Sequence, residues 1–189
     1  MNMKEYKKLI KSRMSEKRYI HSVNVAKEAV RLAKKYGADE EKAEIAGILH
    51  DITKESSSEE QLKLMLSSGE ALSDLELKTP KLWHSISGSI YVRSLGIDDE
   101  DIINAIRYHT TGRTGMSLLE KVIFVADFTG AERDYEGVDE MRHAADISLD
   151  EAILNGVAFS ISDLAKRKMA IHPDTFELYQ EMVSIKNNK

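Results

Sequence analysis

Apolar residues recur at helical spacing over most of this chain and strand-like alternation is scarce, so the pattern predicts an all-α protein. Between 18 and 36, His21, Val25, Ala29 and Leu32 share one face, and Gly37 stands where a helix would stop. Segment 39–51 opens at Asp39, a good N-cap, and becomes apolar almost all round through Ala43, Ile45, Ala46, Ile48 and Leu49, the mark of a buried central helix. The stretch 53–79 reads as surface connection, with two Ser-rich patches flanking a short helix at 59–66. Thr79-Pro80 reads as N-cap and first residue of a helix carrying His84, Gly88, Tyr91 and Leu95 down one side to Gly96.

A further helix from Asp98 or Asp99 stacks Ile102, Ile106 and His109 before Thr110-Thr111-Gly112. Ser117 with Glu120, and Ser148 with Glu151, have capping-box spacing. The first opens a helix running through Leu119, Val122, Ile123, Ala126 and Asp127 to Gly130, and the second one through Ile153, Val157, Ile161 and Leu164. Residues 131–147 read as polar and irregular, and His172-Pro173-Asp174 opens a last helix whose apolar face is Phe176, Tyr179 and Met182-Val183. A lysine-rich amphipathic helix is expected near the N-terminus.

At 189 residues the chain is expected to form a single domain over 1–189, its C-terminal helices packed on the core. With 31% charged and 42% apolar residues it has the balance of an ordinary globular protein. No apolar run approaches the roughly 20 residues that span a bilayer, and no signal peptide is legible, so the expectation is a cytoplasmic protein with no membrane partner. A net charge of −5 argues against a broad nucleic-acid surface. The oligomeric state is not dictated, and a homodimer is compatible with the sequence.

Cysteine is absent, so a metal could be held only by nitrogen and oxygen. His21, His50-Asp51, His84, His109 and Asp127 fall at inward or terminal positions of five helices. One inward histidine is usually a hydrogen-bonded core residue, but His50, Asp51, His109 and Asp127 all sit at helix C-termini, where the macrodipole is negative. A carboxylate there is electrostatically misplaced, and a bound divalent cation removes the conflict. Imidazole with carboxylate suits iron, manganese, cobalt or zinc, and such a metal lowers the pKa of bound water and polarises a phosphoryl group. A central Asp could bridge two ions.

The order of these residues resembles the HD-domain phosphohydrolases, and the local text is similar to the YqeK family: Arg18-Tyr19-Ile20-His21-Ser22, Gly47-Ile48-Leu49-His50-Asp51-Ile52-Thr53-Lys54, Ala105-Ile106-Arg107-Tyr108-His109-Thr110-Thr111-Gly112, and Leu118 to Asp127, over about residues 5–183. The resemblance implies an HD-type helical bundle and symmetrical hydrolysis of diadenosine tetraphosphate to two ADP, with iron as the metal. It implies His21, His50, Asp51 and Asp127 as metal ligands, with His84 and His109 either completing a second metal site or contacting phosphate. After Asp127 the chain departs from the family's hydrophobic-Glu-Pro pattern, carrying Phe128-Thr129-Gly130-Ala131-Glu132 before Arg133, which leads one to expect a more mobile loop.

A tetraphosphate needs cations beyond the metal. Arg18, Lys54 and Arg133 lie close in sequence to the ligands, though solvated surface charge is the commoner fate of such residues. The catalytic set expected is therefore His50, Asp51, Lys54 and Arg133. Thr110 could contact phosphate or simply cap its helix, and Ile171, His172 and Thr175, at a helix N-terminus, resemble a family nucleotide contact although capping explains that segment equally well. His143 reads as surface, Met14, Met65, Met116, Met141, Met169 and Met182 as core filling, and Asp98-Asp99-Glu100-Asp101 as a helix-start cluster. Two rival functions are a 5′-nucleotidase or nucleoside-triphosphate phosphohydrolase on the same fold, and an ADP/GDP-binding sensor or assembly factor without useful turnover.

Overall fold

The computed structural model describes residues 1–188, so the expected boundary at 189 lies one residue outside that span. Its described residues form eleven α-helices and no strand. In chain order these are α1 (Met3–Arg13), α2 (Glu16–Tyr36), α3 (Glu40–Leu49), α4 (Ser58–Ser67), α5 (Asp74–Lys78), α6 (Trp83–Ser94), α7 (Glu100–Tyr108), α8 (Leu118–Thr129), α9 (Val138–Ile147), α10 (Leu149–Lys166) and α11 (Pro173–Asn187).

The centre is built from α2, α3, α7 and α8. Helix α8 is the most apolar: Leu119, Val122, Ile123, Phe124, Val125 and Ala126 are all buried, each large side chain stabilising the fold by about 1.5–3 kcal/mol. Helix α2 packs on both α3 and α8, and α7 joins α8 to α6. Gly47 sets the closest of these approaches, because a Cβ there would lie 2.7 Å from the Cα of Ala26. The chain needs glycine at that point to bring α3 onto α2.

Several termini form as their sequences require. Asp39 accepts from the Lys42 amide at 2.9 Å, Ser117 and Glu120 complete their capping box, and Gly37, at φ 81°, ends α2. Ser148 and Glu151 do not form theirs. Ser148 closes α9 and opens α10 in an extended conformation, and its hydroxyl makes no cap bond.

Four further expectations are corrected. Residues 131–147 are not irregular throughout, since α9 buries Val138, Met141, Ala144 and Ala145, a stripe that its small residues and charged intervals disguise. The 53–79 connection contains α5, with a Ser73/Glu76 capping box, and folds beside an apolar cluster of Met65, Trp83 and Ile86. Thr79 makes no side-chain cap bond and closes α5 instead: Pro80–Leu82 forms one 3-10 turn and α6 begins at Trp83, whose indole N–H donates to the Glu76 carbonyl at 2.7 Å. In α11 the inward stripe is Thr175, Leu178 and Met182, because the Thr175 hydroxyl donates to the Thr111 carbonyl at 2.9 Å, and Phe176 is turned out to 51% exposure.

Candidate metal centre

His50 and His109 take the C-cap positions of α3 and α7, Asp51 follows α3, and Asp127 lies in the last turn of α8. With His21 on the inner face of α2 and His84 in the first turn of α6, these ends converge. Four imidazoles form a row, His21, His50, His109, His84, with successive ring centroids 5.1, 5.0 and 5.1 Å apart and edge-to-face. All four and Asp51 are buried.

Protons are already allotted along the row. The Nδ1–H of His50 donates to the Gly47 carbonyl at 2.8 Å and that of His109 to the Ile106 carbonyl at 2.7 Å. Carbonyls can only accept, so the Nδ1 of each ring carries a proton and its Nε2 is the nitrogen turned inward. Glu132 holds His21 in the same sense through Nδ1. Yet His21 Nε2 lies 3.1 Å from His50 Nε2 and 3.2 Å from Asp127 Oδ1, while His84 and His109 oppose their Nε2 atoms at 3.2 Å. Acceptors facing acceptors require positive charge between them. This donor set fits a divalent cation: His21, His50 and Asp127 form one ligand group, and His50, Asp51 and His109 a second.

Asp51 divides its two oxygens between the halves of the row. Oδ2 lies 3.5 Å from His21 Nε2 and 3.4 Å from His50 Nε2, whereas Oδ1 lies 3.5 Å from His84 Nε2 and 3.7 Å from His109 Nε2. Burial alone would raise the Asp51 pKa, but the charge and hydrogen bonding of His50 and His109 outweigh it and hold the group well below the usual carboxylate range. Asp127 is likewise held well below it: burial opposes this, and the His21 hydrogen bond, Arg133 and His50 prevail. Burial and the nearby Lys54 push His84 well down despite Asp51, so its ring stays neutral, the form that can act as a ligand.

The expected cations surround this centre. Arg18 donates to Asp51 Oδ2 at 2.7 Å, and Lys54 Nζ lies 3.0 Å from His84 Nε2 and 4.0 Å from Asp51 Oδ1. Burial lowers the Lys54 pKa in spite of Asp51 and Asp127. Arg133 bonds both the carboxylate and the carbonyl of Asp127. Its loop is tied down rather than loose, because Arg142 donates to the carbonyls of Thr129, Gly130 and Arg133 at 3.3, 3.1 and 3.0 Å.

Thr110 Oγ1 stands 3.1 Å from His84 Nε2 and borders a cavity of about 240 Å³ that also meets Lys81, Phe159, Asp163, His172 and Thr175. The His172 ring caps α11 by accepting from the Asp174 amide at 3.2 Å, and half-buried Ile171 is not among the residues lining the cavity. Met169 lines it instead of filling the core, whereas Met65, Met116, Met141 and Met182 are buried and Met14 packs against the core as expected. His143 is exposed.

Sequence reasoning missed Glu132 as a partner of His21. The available signal was a carboxylate five residues beyond Asp127, one place before Arg133. A Cβ on Gly130 would lie 3.1 Å from the Glu132 carboxylate, so the glycine leaves room for that group beside His21.

Comparison with known proteins agrees with this geometry. The HD domain family matches residues 18–131. A protein of Bacillus subtilis (strain 168) named bis(5′-nucleosyl)-tetraphosphatase, symmetrical, is 43% identical over 97% of this chain and 99% of its own length. A protein of the same name from Halalkalibacterium halodurans is 39% identical over 97% and 98%. Among solved structures, a predicted HD superfamily hydrolase involved in NAD metabolism from Clostridium acetobutylicum superposes with a TM-score of 0.94 at 38% identity, covering 97% of this chain and 98% of that one. With the histidine and aspartate row lying where the family model matches, and relatives aligned from end to end, the chain belongs to the HD-domain family.

Proposed function

We propose that the chain is a symmetrical bis(5′-nucleosyl)-tetraphosphatase, which hydrolyses diadenosine tetraphosphate between its two central phosphates to give two ADP. The observation that carries this reading is the row of four inward-facing imidazoles around Asp51, in a chain 43% identical over nearly its whole length to a relative bearing that name. His21, His50, Asp51 and Asp127 would hold one divalent cation. His84 and His109, which face the other oxygen of Asp51, would with it hold a second cation. Iron is the metal we propose, since a nitrogen and oxygen donor set of this kind suits it.

A bound cation supplies Lewis acidity toward water and toward a phosphoryl oxygen. The chain's own residues do the rest. Arg18 and Arg133 each use part of the guanidinium on a ligand carboxylate and keep further N–H donors for phosphate oxygens. Lys54 offsets charge beside His84 and, with Thr110, borders the path of the phosphate chain. His172 and Thr175 line the cavity for one nucleoside half, with Ile171 beside them. The departing ADP needs little protonation, because its terminal phosphate is already a good leaving group. A homodimer and a cytoplasmic location are compatible with this role.

The test is chelation followed by return of iron, manganese, cobalt or zinc, with products separated by chromatography. Two ADP, without AMP, ATP or free phosphate, is the expected result. Nucleotide binding without turnover in the metal-restored protein would favour the sensor instead.

A further inference from the structure

A second cavity, of about 450 Å³, opens at the other end of the imidazole row. It is lined by His21 and its partner Glu132 together with Lys17, Arg18, Arg133, Asp134 and Tyr135, so three cations face two carboxylates there, one of them already engaged with His21. The first cavity meets the row through Thr110, beside His84, and the second meets it through His21. The reacting centre thus lies between two openings. An aromatic pair links them: Tyr135 lines the second cavity, Phe159 lines the first, and their rings lie 5.7 Å apart. Phe159 is 51% exposed, a placement that core packing does not explain.

We infer that the cavity lined by Lys17, Arg18, Asp134 and Tyr135 seats the second nucleoside diphosphate half of the substrate, the half facing away from Thr110 and His172. The inference rests on the proposed central cleavage, which by its symmetry requires two like halves to flank the reacting phosphorus. Each chemical part has a suitable counterpart. The ammonium of Lys17, exposed in the first turn of α2, and the guanidinium of Arg18 face the phosphate side. The Tyr135 ring offers a base or ribose an apolar surface and is held in place by its hydroxyl, which donates to the Phe128 carbonyl at 3.0 Å. The Asp134 carboxylate would repel phosphate but accepts hydrogen bonds from a ribose diol or an exocyclic amine.

The test compares diadenosine tetraphosphate with adenosine 5′-tetraphosphate, which carries the same four phosphates and lacks the second nucleoside. Water cleaves the first to two ADP and the second to ADP and pyrophosphate. Wild-type kcat/KM is expected to favour the dinucleoside by about tenfold, the scale of one base stacked on an aromatic ring. Tyr135→Ala should remove most of that preference and Tyr135→Phe should retain it. Lys17→Ala, on an exposed helix position, should raise KM for the dinucleoside several-fold, and provides the reading if Tyr135→Ala fails to fold. Equal kcat/KM for both substrates in the wild type, a preference unchanged in Tyr135→Ala, or a KM for the dinucleoside unchanged in Lys17→Ala overturns the second seat and leaves the proposed activity standing. Failure of the metal-restored wild type to release ADP from diadenosine tetraphosphate overturns the activity itself.

Discussion

The imidazole row and the rim of the two cavities beside it are built by opposite means. The row sits on the ends of packed helices, its histidines are 0 to 5% exposed, and backbone carbonyls or a carboxylate orient three of its four rings. The rim is drawn from the start of α2, the 3-10 turn before α6, the loops after α7, α8 and α10, one face of α10 and the first turn of α11, and Lys17, Lys81 and Phe159 on it are exposed. On the proposed function, the cation-holding centre draws on the most buried part of the fold, whereas discrimination among nucleotides is left to parts that can vary without disturbing it.

The sharpest way to break this contrast is to remove a group from the row. Asp51→Ala or His50→Ala should lose bound metal and reduce turnover on the order of 10⁴-fold, the scale of deleting a member of a cooperating catalytic unit, as read by metal analysis and steady-state rates. Full activity in either purified variant would sink the site assignment.

One attachment near the rim is the ion pair of Glu76 on α5 with Arg107 on α7, close to His172. Glu76→Ala should cost about 1–3 kcal/mol in chemical denaturation, because the partly buried Arg107 guanidinium loses its partner. Burial would raise the Glu76 pKa, but hydrogen bonds from Ser73 and Arg107 lower it overall. Its contribution is therefore complete above the ordinary glutamate pKa and is lost as pH falls through the lowered value. The stability gap between wild type and Glu76→Gln should narrow on acidification, and a constant gap would show that the pair does not titrate in this way.

A smaller effect is expected where the row meets its support. Glu132→Ala should weaken metal binding about 10- to 100-fold by freeing the His21 ring, with Glu132→Gln intermediate since its amide oxygen still accepts from Nδ1–H. Titration of the metal-free protein with cobalt, followed by its visible spectrum, reads this directly. Gly47→Ala should destabilise the fold by about 2 kcal/mol through overpacking and move His50 away from His21. Unchanged stability there would mean that the α2–α3 approach is softer than its contact implies.

The same contrast decides what could be read from sequence. The convergence of His21, His50, Asp51, His109 and Asp127 was legible because helical periodicity and caps fix both face and terminus, and carboxylates at helix C-termini stand out electrostatically. Glu132 was not, since its role depends on a loop path set by Arg142 and by the room left at Gly130. Tyr135 and Phe159 escaped for a related reason: they lie 24 residues apart in sequence, and only the packing of α8, α9 and α10 brings their rings together. Helix α9 was missed because alanines supply half of its buried stripe, and Phe176 was misplaced because one hydroxyl, on Thr175, decides the rotation of α11.

The most direct test of the central claim is hydrolysis of diadenosine tetraphosphate in ¹⁸O-labelled water by the metal-restored protein. Attack between the central phosphates predicts ADP as the sole nucleotide product, with one label on the terminal phosphate of one ADP in each pair. AMP together with ATP, or free phosphate, would contradict it.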